Sequence, residues 1–198
     1  SSPYRLQYSG RRDSDPQILF VMTIQSLKLE ERVAIVTGAA RGIGQSIVQK
    51  LANEGAQVIA NDLDAAPLVE SVNKLAQQGL MVHALPGDIT EQATAEALVS
   101  IALERYGDLH IVVNNAAVEY CTNMEETTLE QWDQTHHVGL RGLFLTIQSA
   151  LPCLRKSENA AVFNIASVHA TATIPDLGAY AAVKGGIVAM TRSMAQDL

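Results

Sequence analysis

The chain has 198 residues, 47% hydrophobic and 18% charged, which is enough for one soluble globular domain with a sizeable core. Its 14 basic and 21 acidic residues leave a net charge of −7, which argues against nucleic acid or a membrane as partner, since both are met by a basic face. The two cysteines, Cys121 and Cys153, have no second Cys or His at metal-ligand spacing, so no metal is expected and a reduced, cytoplasmic compartment fits best.

Residues 1–21 carry Ser, Arg, Asp, Pro and Gly without an apolar period, and are expected to form a disordered or extraneous arm. A mitochondrial leader is the weaker reading, because such leaders avoid acids and this stretch holds Asp13 and Asp15. The run "ILFVM" (18–22) is too short for a membrane span or a signal-peptide core. Met22 then opens what reads as a single domain, 22–198.

From residue 32 short β-branched runs alternate with helical patterns, the mark of a parallel sheet. The runs are "RVAIVTG" (32–38), "AQVIAND" (56–62), "LMVHALPGD" (80–88), "LHIVVNN" (109–115) and "AAVFNIAS" (160–167). Between the first two, Ile43, Ile47, Val48 and Leu51 make an apolar stripe closed by Gly55. A second helix is expected from Thr90 to Tyr106, closed by Gly107. Thr128 and Gln131 form a capping-box pattern that opens the longest helix, 129–151, ended by Pro152. Crossovers between parallel strands are right-handed, so the pattern predicts a doubly wound α/β layer whose ligand binds beyond the strands' carboxyl ends.

Those ends carry the chemistry. "TGAARGIG" (37–44) follows a strand and opens a helix, so its backbone N–H groups and the positive helix end suit a pyrophosphate. Asp62 ends the second strand, where an acid can bind an adenosine ribose; its alternative role is as a helix cap. Asp88 ends the third strand, and Asn114 and Asn115 the fourth. Tyr180 and Lys184, four apart, share one helix face. A cation beside a phenol favours the phenolate and lowers its pKa, which fits Tyr180 for general acid–base work, and Ser167 can donate to a substrate oxygen. Gly185 and Gly186 are expected to let this helix approach its neighbours closely. His136 and His137 read as surface or interface residues, and His169 has no carboxylate at a spacing that would make a hydrolase triad.

Taken together, "TGAARGIG", "GDIT" (87–90), "NNAA" (114–117), Ser167 and the Tyr180–Lys184 pair resemble the short-chain dehydrogenases/reductases over about residues 27–198. The resemblance implies a Rossmann-like three-layer α/β/α sheet and hydride transfer between a nicotinamide cofactor and an alcohol or ketone. It assigns Ser167, Tyr180 and Lys184 to catalysis, and Gly38, Arg41, Gly42, Ile43, Gly44, Asp62, Asp88, Ile89, Asn115 and Ala116, with Tyr180 and Lys184, to the cofactor. NAD is expected over NADP because Asp62 would repel a 2′-phosphate, although Arg41 pulls the other way. Family members commonly pair the long helix and the Tyr-Lys helix with those of a second subunit, so a homo-oligomer, dimer or tetramer, is expected. Gly139 stands where the family carries a catalytic asparagine, Ala117 replaces a glycine, and the chain ends at "SMAQDL", before the family's last strands. A cofactor-binding or oligomerising module without turnover is therefore the competing expectation.

Overall fold

A computed structural model describes residues 27–197. The arm expected over 1–21 lies outside them. Five strands appear where the β-branched runs stand: β1 (Val33–Thr37), β2 (Gln57–Asp62), β3 (Val82–Pro86), β4 (Ile111–Asn114) and β5 (Ala161–Asn164). They pair in parallel in the order β3-β2-β1-β4-β5. The chain builds outward from β1 to β3 and then returns to β1's other side with β4. The order thus reverses between β1 and β4, and a crevice opens there beyond the strand ends.

Alternation along β1 divides the core. Ala34 and Val36 join a cluster with Val48 and Ala52 of α1 (Gly42–Asn53) and Leu68, Val72 and Leu75 of α2 (Ala65–Gln77). Val33 and Ile35 join Leu98 and Ala102 of α3 (Gln92–Tyr106) and Ala150 of α5 (Leu143–Leu154) on the other face. Both faces of β1 are covered, so all five of its residues are buried. Full burial of side chains such as Ile35 contributes about 1.5–3 kcal/mol each. The last helix, α6 (Gly178–Asp197), packs Val183 and Ile187 against Leu143 and Ile147 of α5.

Four expectations need correction. Ile43 is 64% exposed and stands outside the apolar stripe, because α1 turns Gly44, Val48 and Ala52 to the sheet. Thr90 lies in a turn, its N–H bound to Asp88 Oδ1 at 2.9 Å, and α3 starts two residues later. The long helix is unbroken but not α-helical throughout: α4 (Leu129–His136) opens with the expected capping box, a π-helical segment (His137–Gly142) follows, and α5 continues from it. That segment packs closely on α6, as a Cβ on buried Gly139 would collide with Val183 Cγ1. Finally, Pro152 sits inside α5, which runs on to Leu154; proline's fixed φ is helical, and near a C-terminus its missing N–H costs a single bond.

Candidate functional site

The carboxyl end of the sheet is tied together through Thr37 and the fourth strand's end. Thr37 Oγ1 accepts the N–H groups of Asn115 (3.1 Å) and Ala116 (3.2 Å), while Asn115 Nδ2 donates to the carbonyls of Thr37 (3.1 Å) and Gly38 (2.9 Å). The glycine loop is held against β2 in the same way, by Ala39 N–H on the Asn61 carbonyl (2.9 Å) and Ala40 N–H on Asp62 Oδ2 (2.9 Å). Gly38 has φ of +64°, and a Cβ there would come within 2.8 Å of Ala116 Cα. At Gly44 a Cβ would run into the Gly38 carbonyl oxygen, so loop and helix can touch only as glycines. No side chain caps α1, which leaves its first-turn N–H groups open to an anion.

These ties frame a cleft of about 500 Å3. Of the sequence-assigned residues it gathers Gly38, Arg41, Asp62, Asp88, Ile89, Asn115 and Ala116. Gly42, Ile43 and Gly44 are not in its lining; they form the first turn of α1. Several lining residues carry no motif of their own: Asn61, Asp64, Gln134 and His137. Asn61 is readable in retrospect as a polar residue at a buried strand end, where its amide binds the carbonyls of Leu85 (3.0 Å) and Gly87 (3.1 Å).

Ser167, Tyr180 and Lys184 form a second group. Ser167 follows β5 and accepts the His169 N–H on its Oγ at 3.3 Å. Tyr180 stands in the first turn of α6, half-buried, with the His169 ring edge-on at 6.0 Å between centroids. Lys184, one turn on, is 3% exposed; its Nζ donates to the Ile165 carbonyl at 2.7 Å and lies 5.3 Å from the Tyr180 ring centroid.

The charges around the phenol differ from the sequence expectation. Burial and then the Glu119 carboxylate push the Tyr180 pKa above its ordinary value, and the Ser167 hydroxyl pulls it only partly back. Burial also lowers the Lys184 pKa, with Glu119 opposing. Lys184 is not among the groups that lower the Tyr180 pKa; its ammonium donates to the Ile165 carbonyl and lies against the ring.

A directed chain of amides runs beneath the site. Thr191 Oγ1 donates to the Ile187 carbonyl (2.7 Å) and accepts from Asn164 Nδ2 (2.9 Å), and Asn164 Oδ1 accepts from Asn114 Nδ2 (2.9 Å). Asn114 Oδ1 is left buried without a partner, as is His169 Nδ1. The two glycines after Lys184 behave differently. A Cβ at Gly186 would meet Leu140 at 3.2 Å, a close approach, whereas Gly185 has only an ordinary contact at 3.8 Å. Among the described residues no group of His, Cys, Asp and Glu could hold a metal ion, and no helix is long and apolar enough to cross a membrane.

A family model described as short chain dehydrogenase matches residues 32–198. The chain belongs to the short-chain dehydrogenase/reductase family. Trans-4-hydroxycyclohexanecarboxylate dehydrogenase of Sinomonas cyclohexanicum is 34% identical over 186 residues, covering 89% of this chain and 70% of that protein. D-beta-hydroxybutyrate dehydrogenase of Rhizobium meliloti is 32% identical over 170 residues, covering 84% of this chain and 66% of that protein. Among solved structures, a short chain dehydrogenase/reductase from Burkholderia phymatum in complex with NAD superposes with a TM-score of 0.83 at 30% identity, over 86% of this chain and 61% of that one. The chain thus spans about two thirds of the length of these relatives.

Proposed function

We propose that the protein is a nicotinamide-dinucleotide-dependent oxidoreductase acting on a small alcohol or ketone, with Tyr180 as the proton-handling group. One observation carries the reading: a cleft behind a glycine loop with uncapped helix N–H groups lies at the carboxyl end of the same sheet as a half-buried phenol beside a buried lysine. The residues fit a dinucleotide, for the loop's glycines leave backbone where a side chain would stand and Asp62 waits at the ribose end.

In this reading Gly38, Gly42, Ile43 and Gly44 take the pyrophosphate, Arg41 and Asp62 face the adenosine ribose, and Asp88 and Ile89 face the adenine. Asn115 and Ala116 shape the floor, and Lys184 holds the nicotinamide ribose. When bound, the nicotinamide ring supplies the carbon that takes or gives a hydride. Tyr180 moves the accompanying proton: the neutral phenol donates to a ketone oxygen in reduction, and the phenolate accepts from an alcohol in oxidation. Ser167 donates a hydrogen bond to the same oxygen and steadies its charge. The upward shift of Tyr180 keeps the phenol neutral near pH 7, so reduction is favoured there and oxidation gains as pH rises. Asp62 favours NAD(H) over NADP(H) through like-charge repulsion. Exposed Leu129, Trp132 and Phe144 on α4 and α5 support a homo-oligomer, and the two free cysteines support work in the cytoplasm.

The test is turnover, followed by nicotinamide absorbance, against a panel of ketones with NADH and secondary alcohols with NAD+. Turnover with at least one pair is the expected result. Dinucleotide binding without turnover on any of them would instead make the protein a cofactor-binding module.

A further inference from the structure

Asp62 and Asp64 both line the cleft, yet their carboxylates do different things. Asp62 is fixed by backbone: Oδ2 accepts the Ala40 N–H at 2.9 Å and Oδ1 the Asp64 N–H at 3.0 Å. Asp64 occupies the N-cap position of α2, where an aspartate normally accepts an N–H of the first turn. It makes no such bond. Its carboxylate is paired with the Arg41 guanidinium instead. Among the described residues that line the cleft, Arg41 is the one lysine or arginine. The remaining carboxylate, Asp88, has its own partner in the Thr90 N–H at 2.9 Å.

We infer that Asp64 determines cofactor specificity by occupying Arg41, leaving the ribose end of the cleft without a free cation for a 2′-phosphate. This deepens the dinucleotide reading and rests on it. With the pair intact, Asp62, Asp64 and Arg41 sum to a charge of −1, and a 2′-phosphate would bring about −1.5 to −2 more. With Asp64 neutralised the sum is zero, and the guanidinium fork can meet a phosphate with two hydrogen bonds. Asp62 is a poorer handle on the question, because replacing it also removes the bond that holds the glycine loop.

The test is a binding cycle over the unaltered chain, Asp64→Asn, Arg41→Ala and the double variant, with NAD+ and NADP+ titrated into each by calorimetry. Asparagine is as good a helix cap as aspartate, so the fold is kept. The ratio of the NADP+ to the NAD+ Kd should fall about tenfold in Asp64→Asn, an effect of the size expected for one partly screened charge. Arg41→Ala should cancel that gain in the double variant and change NADP+ affinity little by itself, and Asp64→Glu should keep the original ratio. A gain that survives in the double variant would mean that lost negative charge alone matters. Equal loss from Arg41→Ala with and without Asp64 would show Arg41 already free. Either result, or an unchanged ratio in Asp64→Asn, overturns the inference while leaving the dinucleotide reading in place. If a folded, unaltered chain binds neither dinucleotide, that reading falls and takes this one with it.

Discussion

The two halves of the crevice are built by different means. On the β1–β2–β3 side the glycine loop and strand ends are held by hydrogen bonds between backbone groups and the side chains of Asn61, Asp62 and, reaching across from the end of β4, Asn115. On the β4–β5–α6 side the groups sit in a less settled environment: Asn114 Oδ1 and His169 Nδ1 are buried without partners, and Lys184 is desolvated. A binding cradle gains from rigidity, because each N–H must already point at its ligand. A proton-handling group instead needs a shifted affinity, and at Tyr180 burial supplies it, with the Glu119 carboxylate adding to it.

The contrast breaks most sharply at Tyr180. Tyr180→Phe should lower turnover by about 10²- to 10⁴-fold while dinucleotide affinity stays within about threefold, measured by steady-state kinetics and titration. If both fall together, the phenol belongs to the cradle and the division of labour is wrong.

The cradle's rigidity is tested at Gly44. A Cβ there collides with the Gly38 carbonyl, so Gly44→Ala should weaken dinucleotide binding at least about tenfold and destabilise by about 1–3 kcal/mol. Gly79, with φ of +82° and nothing within 4 Å of an added Cβ, is the control. Gly79→Ala should cost stability through backbone strain and leave binding alone.

Gly139 sharpens the other half. By the resemblance, Gly139 stands where an asparagine would serve a water-mediated proton relay behind Lys184. With Val183 in the way, Gly139→Asn should lower Tm, at a cost of about 1–3 kcal/mol, without raising turnover by itself. Pairing it with Val183→Ala should recover most of the stability. Only that double variant is a fair test of a relay.

The smallest effect is expected at Glu119. Its charge raises the pKa of both Tyr180 and Lys184, so Glu119→Gln should lower both. Oxidation needs the phenolate and climbs as pH rises through the Tyr180 pKa, so its pH profile should move to lower pH. The reduction limb should move the same way. A profile that does not move would detach Glu119 from the site.

Much of this was legible in the sequence, for reasons visible residue by residue. The strands declared themselves because β1 is buried on both faces and so reads as an unbroken apolar run. The glycine loop and the Tyr180–Lys184 pair were legible because each is a local pattern that a single turn or helix face completes. What stayed hidden depends on partners far along the chain. The π-helical stretch at His137–Gly142 is where Gly139 meets Val183 of α6, and neither residue signals it alone. The direction of the Tyr180 shift is set by burial and by Glu119, from the loop after β4. Ile43 failed as a stripe residue because helical period fixes spacing but not which side faces the sheet.

The central claim is that the crevice carries hydride transfer with the proton handled separately at Tyr180. It is tested most directly with a secondary alcohol deuterated at its carbinol carbon, incubated with the chain and NAD+, and mass spectrometry of the nicotinamide product. The account predicts that the deuterium is found on the reduced nicotinamide, and that Tyr180→Phe suppresses its appearance while still binding NAD+. Deuterium released to water, or transfer undiminished in Tyr180→Phe, would contradict it.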